Sequence, residues 1–173
     1  MSTLELTLPF FIGPSDNPTN YNNFPDLASI SLNYDRQTGL LTQLIDQNQE
    51  KLLQNVYQYG STMGHAMSDD GIGKKYAEDF LEYCTNWIPP NSNLLEIGCA
   101  HGYLLKLLVD KGFHCTGIEP GNCYSRSWDN YKVKVVNDTY PSNQLPSKYD
   151  AIISYGVLEH MEDPLSHLKA ISK

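Results

Sequence analysis

At 173 residues the chain has room for one ordinary domain and a small appendage, which excludes a large multidomain enzyme. Its 40% hydrophobic, 18% charged and 11% aromatic residues are those of a folding globular chain, neither disordered nor fibrous. Twenty Asp and Glu against twelve Lys and Arg leave a formal net charge of -8, which argues against gripping phosphate backbones by bulk charge, so nucleic acid is not an expected partner.

Met1 to Pro9 has neither a basic start nor an apolar signal core, and no apolar run approaches the about 18 residues of a membrane span. Cys84, Cys99, Cys115 and Cys123 are irregularly spaced without a Cys-x-x-Cys pair, so neither a metal knuckle nor a disulfide framework is expected. Reduced thiols and no membrane segment give a cytoplasmic reading.

Residues 1 to about 35 carry Pro9, Gly13, Pro14, Pro18 and Pro25 among Asn, Ser and Asp, which predicts loop with a short strand at Ile30 to Tyr34. From Leu40 to Tyr59 the apolar positions Leu40, Leu41, Leu44, Ile45, Leu52, Leu53 and Val56 suit helical turns better than alternation. The glycine-bearing Gly60 to Gly73 segment reads as a hinge or a ligand-facing loop before a helix at Lys74 to Asn86, ended by Pro89 and Pro90. Short apolar runs then alternate with helical ones: Asn93 to Ile97, His101 to Lys111, His114 to Ile118, Lys132 to Val136, Tyr149 to Ser154 and Pro164 to Ser172. Such alternation predicts parallel strands with crossover helices. The coarse map is an irregular and helical appendage over residues 1–73 and a βαβ domain over 74–173.

The chemistry concentrates after the first of these strands. In Leu94-Leu95-Glu96-Ile97-Gly98-Cys99-Ala100-His101-Gly102-Tyr103 a strand runs into a turn where Gly98 allows tight reversal and Gly102 allows close backbone approach. A dinucleotide fingerprint would need glycine at Glu96, Gly98 and His101, so an NAD-dependent enzyme is disfavoured. Ile118-Glu119-Pro120 closes the next strand with a carboxylate able to accept two hydrogen bonds from a ribose diol. Asp138 follows the run Val133 to Val136 and is either a ligand group or a turn cap.

The pattern Glu-x-Gly-x-x-x-Gly resembles the first motif of the class I S-adenosylmethionine-dependent methyltransferases. The segment Tyr149 to Pro164, with Asp150, an apolar run and Leu158-Glu159-His160, is similar to that family's segment after the fourth strand. The resemblance covers roughly Asn93 to Lys173. It implies an α/β, Rossmann-like fold with a partial parallel sheet of about four strands, helices on both faces, and S-adenosyl-L-methionine as cofactor. It implies that Glu96, Gly98, Cys99, Ala100, Gly102 and Tyr103 surround the methionine part, that Glu119 with Pro120 takes the ribose, that Asp138 meets the adenine amino group, and that Ser154 to Val157, Tyr155 among them, line the methyl end. His160 would lie beside a small-molecule acceptor, either as general base or as a packing group.

Leu32 to Gln43 and Tyr57 to Thr62 resemble the layout that precedes the core in sugar C-methyltransferases, which implies a sugar carbon as acceptor and places Tyr57 or Tyr59 near the site. That family's zinc-binding Cys-x-x-Cys corresponds here to Asp35 and Thr38, so no metal is expected. His65 is a further lid candidate in the glycine-rich loop. The family's sheet has seven strands in an order beginning 3-2-1-4, which would leave the strand at 149–154 at an edge, to be covered by a missing C-terminal part or a second chain. The alternative to an enzyme is a non-catalytic module that binds S-adenosylmethionine or S-adenosylhomocysteine.

Overall fold

A computed structural model describes residues 2–10, 18–59, 69, 71, 73–161 and 163–172. The chain divides into two compact units, Met1–Thr62 and Met63–Lys173.

The first unit is a three-stranded antiparallel sheet in the order β1-β2-β3, formed by β1 (Ser2–Pro9), β2 (Leu27–Tyr34) and β3 (Leu41–Leu44), with a 3-10 turn at Pro18–Asn23 and helix α1 (Gln47–Tyr59). This corrects the expectation of an irregular and helical appendage. The prolines sit at the end of β1 and between strands, while Leu4, Leu6 and Leu8 alternate with Thr3, Glu5 and Thr7 and pair across the ladder with Leu32, Ile30 and Ala28. Alternation puts all six on one face, and that period of two is what the proline count concealed. The predicted helical run from Leu40 is likewise split. Leu41–Leu44 pairs with Ser31 to Tyr34, and Asp46 then starts α1 by accepting from the Asn48 and Gln49 amides at 2.9 Å while the Gln49 side chain accepts from the Asp46 amide at 3.0 Å. That reciprocal cap supplies partners for otherwise orphaned helix-start donors.

Asp35 and Thr38 close the β2–β3 hairpin. The Asp35 carboxylate accepts from the Gln37 amide at 2.8 Å, the Thr38 hydroxyl accepts from the Leu40 amide at 3.3 Å, and Gly39 takes the positive φ of 72° that the reversal requires. Among the described residues no group of three or more His, Cys, Asp or Glu could hold a metal ion.

The second unit is a parallel sheet in the order β6-β5-β4-β7, made of β4 (Asn93–Ile97), β5 (His114–Ile118), β6 (Val135–Val136) and β7 (Ala151–Ser154), with helices α2 (Lys74–Trp87), α3 (Tyr103–Asp110), α4 (Ser125–Tyr131) and α5 (Pro164–Ile171). β4 lies between β5 and β7, so Leu94 to Ile97 are buried on both faces. Leu94 packs with Ala77 and Cys84 of α2 and with Tyr103, Leu104 and Leu108 of α3. Leu95 and Ile97 face the opposite side, against Ile118, Tyr140, Leu145 and Ile171 of α5. The α/β Rossmann-like expectation holds, helices on both faces included. At the start of β4 the Asn93 backbone and side-chain nitrogens both donate to Asp150, at 2.7 and 3.0 Å, which joins β4 to the entry of β7 and holds the Asp150 carboxyl below the usual carboxylate range.

The connection from β6 to β7 contains no helix among the described residues, unlike the other crossovers. β7 has β4 on one side and no strand on the other among the described residues.

Candidate functional site

The C-terminal ends of β4 and β5 meet at one turn. Gly98, Ala100 and Gly102 all take positive φ, at 72°, 44° and 77°, so the chain reverses sharply between β4 and α3. A Cβ at Gly98 would stand 2.4 Å from Val157 Cγ2, and one at Gly102 would stand 2.9 Å from Val133 Cγ2. Both glycines are therefore demanded by packing as well as by dihedral.

Glu119 ties this turn to β5. Its carboxylate accepts from the Ala100 amide at 3.0 Å and from the Gly121 amide at 2.7 Å, although the residue is only 6% exposed. Burial pushes its acidity weaker, and the two amide donors oppose that by favouring the anion. The Trp128 indole of α4 donates to the Ala100 carbonyl at 2.7 Å, and the Asn137 side chain donates to the Glu119 carbonyl at 2.8 Å. The Ala100 residue is thus held at both its backbone N–H and its backbone C=O.

Glu96 is the other acid of the turn. It is 4% exposed, its Oε2 is buried with no hydrogen-bond partner, and burial, with the Glu119 charge second, pushes its carboxyl up to about 8. Cys99 is buried beside it, and burial, then Glu96 and Glu119, raise its thiol well above the ordinary range. An orphaned acceptor next to a strained glycine turn is a place prepared for a donor-rich or cationic ligand.

The remaining sequence-expected residues are placed less uniformly. The Tyr103 side chain is buried in the core, its ring 5.8 Å from Tyr131, so what it presents to the turn is the start of α3. Pro120 is half-buried between Glu119 and Gly121. Asp138 spends its carboxylate on its own turn, accepting from the Ser142 hydroxyl at 2.6 Å, the Thr139 amide at 2.8 Å and the Gln144 side chain at 3.2 Å, which holds its carboxyl below the usual carboxylate range. Tyr155 is 42% exposed and its ring lies 5.1 Å from Phe80 of α2, beside an open apolar depression of about 300 Å³ also lined by Tyr76, Asp79 and Tyr83. His160 is exposed at the end of the 3-10 turn Leu158–His160. The Tyr57 and Tyr59 side chains and His65 fall outside the described residues.

The structure therefore brings together Glu96, Gly98, Cys99, Ala100, Gly102 and Glu119, and adds Trp128, Gly121 and Val157 as their supports. Trp128 and Tyr131 stand at helical spacing in Ser125–Tyr131, a signal too short to mark α4 in the sequence. Nothing local in the sequence announces that an indole reaches the Ala100 carbonyl.

A parallel sheet in this order, with a glycine turn after the central strand and an acid at the end of its neighbour, defines a Rossmann-like nucleotide-cofactor domain of the methyltransferase type. The chain belongs to the methyltransferase-domain family, whose model matches residues 63–173. It is 26% identical over 121 residues to the ubiquinone biosynthesis O-methyltransferase of Pseudomonas fluorescens (strain Pf0-1), an alignment covering 62% of this chain and 52% of that protein. It is 28% identical over 102 residues to the protein of the same name from Aeromonas salmonicida (strain A449), covering 50% and 42%. The chain thus spans about half the length of the curated relatives it matches. Among solved structures it is similar to the plantazolicin methyltransferase BpumL in complex with a monoazolic desmethylPZN analog and SAH (TM-score 0.46, 21% identity, 55% of this chain and 39% of that one). It is also similar to coclaurine N-methyltransferase bound to N-methylheliamine and SAH (TM-score 0.47, 18% identity, 60% and 35%).

Among the described residues no helix is long and apolar enough to cross a membrane.

Proposed function

We propose that this chain binds S-adenosylmethionine at the β4–α3 turn and passes its methyl group to a small-molecule acceptor. The observation that carries the reading is the joined cradle: Glu119 fastened to the Ala100 amide, with the partnerless Glu96 Oε2 beside it. The residues fit the cofactor by charge and by space. Glu96 offers a carboxylate oxygen to the methionine ammonium, Gly98 and Gly102 keep the turn free of side chains, and Glu119 retains lone pairs for a ribose diol. Cys99, Ala100, Tyr103 and Pro120 would line the same cradle through their backbone, with Asp138 and Tyr155 at its adenine and methyl ends.

The cofactor, when bound, supplies an electrophilic methyl on a sulfonium. The work left to the chain is alignment and exclusion of water, in which Val157, packed over Gly98, holds the segment after β7 against the turn. His160 would take a proton from an acceptor that must lose one. An oxygen acceptor is favoured by the names of the two curated relatives, whereas the sugar-carbon reading rests on the layout of the first half alone. Four free thiols favour a cytoplasmic setting.

The second reading, binding without turnover, is favoured by the exposure of Tyr155, Leu158, Glu159 and His160, because methyl transfer needs water kept out. Calorimetric titration with S-adenosylhomocysteine, NAD as competitor and Glu119→Ala as control tests the site. Labelled-methyl transfer to catechols and to nucleotide-linked deoxysugars then separates enzyme from binding module. Absence of binding by folded protein refutes both readings.

A further inference from the structure

We infer that Glu96 carries a proton in the cofactor-free protein and surrenders it to solvent when the cationic end of the cofactor enters the turn, so that binding is coupled to release of one proton. The inference rests on the proposed placement of the methionine part beside Glu96.

Two buried carboxylates share this corner of the sheet, and their surroundings divide them. Glu119 receives two backbone N–H groups, which favour its charged form. Glu96 has an oxygen sealed from solvent with no hydrogen-bond donor among the described residues. The titratable groups that face it are Glu119 at the end of β5, Cys99 in the turn, Cys84 on α2 and Cys115 on β5, and none of the four is a cation. Burial drives Cys115 up to about 12 and Cys84 in the same direction, so these thiols stay neutral and do not compete for the proton. A carboxyl so placed keeps its proton near neutral pH, in line with the value of about 8 toward which burial pushes it. An ammonium group brought within hydrogen-bonding reach reverses the balance. The carboxyl O–H bond then breaks, the proton passes to buffer, and the carboxylate pairs with the ligand.

The sign follows. Affinity rises with pH while binding must expel a proton and levels off above about 8, where Glu96 is already ionised.

The test is titration of the whole chain with S-adenosylhomocysteine at pH 7 in buffers of different ionisation enthalpy, repeated with Glu96→Gln. A group titrating near 8 is roughly nine-tenths protonated at pH 7, so wild type releases about 0.9 proton more per ligand than the variant, which retains only the ligand's own titration. Infrared difference spectra of the wild type provide a readout that needs no variant, in which the protonated carboxyl C=O band present without ligand disappears on binding. Equal proton counts in the two proteins, or no such band in the ligand-free protein, overturns the inference. Binding without proton release sinks this inference alone, whereas no binding by folded wild type sinks the cofactor reading beneath it as well.

Discussion

Replacing Gly98 by alanine tests the turn most directly, because two separate costs can be read from the structure and then separated by experiment. The first is backbone strain: at φ 72° an L-residue meets its own carbonyl, which costs about 1–2 kcal/mol. The second is collision: the new Cβ would lie 2.4 Å from Val157 Cγ2 and 3.2 Å from Cγ1, so Val157 must move out of the cluster formed with Leu95, Ile97 and Ile118. Overpacking of this kind costs about 1–3 kcal/mol. Gly98→Ala is therefore expected to destabilise by about 2–5 kcal/mol, a large share of the about 5–15 kcal/mol that holds a domain together. Urea unfolding followed by circular dichroism measures it, with the slope expected to stay constant while the midpoint falls. In Gly98→Ala/Val157→Ala the methyl groups responsible for the collision are gone and the nearest atom is Val157 Cβ at 3.4 Å, so the second cost is recovered and the first is not. A double-mutant cycle should give a coupling of about 1–3 kcal/mol. Zero coupling would refute the packing of the segment after β7 over the glycine turn, and with it the idea that this turn and that segment form one wall.

Glu119→Ala should weaken S-adenosylhomocysteine binding more than tenfold by calorimetry, since it frees the Ala100 and Gly121 amides as well as removing the proposed diol acceptor. Unfolding free energy measured against pH should fall between about 4.5 and about 8. The Glu96 carboxyl is protonated in the fold over that window and ionised in the unfolded chain, so its contribution is complete below the lower value and gone above the upper. Glu96→Gln should flatten that slope, by at most about 1.4 kcal/mol per pH unit. Leu105→Ala, at a position with no solvent exposure, should cost about 2–5 kcal/mol in the same assay, and a loss under 1 kcal/mol would contradict the packing of α3 on the sheet.

The parallel sheet was legible because its signals are local. Asn93–Ile97 and His114–Ile118 are short apolar runs bounded by polar or glycine-bearing turns, and both coincide with strands. The stretch Lys132 to Val136 shrank to Val135–Val136 because Lys132 takes a left-handed conformation, φ 57°, and Val133 turns toward Gly102. The antiparallel sheet of the first unit was missed for a different reason: prolines between strands and prolines within them look the same in composition, and only pairing distinguishes them. At the site, the strand, glycine turn and helix around Gly98 and Gly102 were legible from local pattern, whereas Glu96 and Glu119 were singled out by the resemblance to a methyltransferase motif. Trp128, Asn137 and Val157 act across 28, 18 and more than 50 positions of chain respectively, on Ala100, Glu119 and Gly98, and sequence separation of that size carries no local pattern.

The hydrogen bond from Trp128 to Ala100 also gives the molecule an optical property. Of its two tryptophans, Trp87 is 75% exposed on α2 and Trp128 is 8% exposed with its indole bound to the turn. Their emission should differ in wavelength and in access to iodide, Trp87 red-shifted and quenched, Trp128 blue-shifted and shielded. With Trp87→Phe the remaining light comes from an indole one hydrogen bond away from the cradle, so the occupied and empty turn can be told apart in a fluorimeter without any added label.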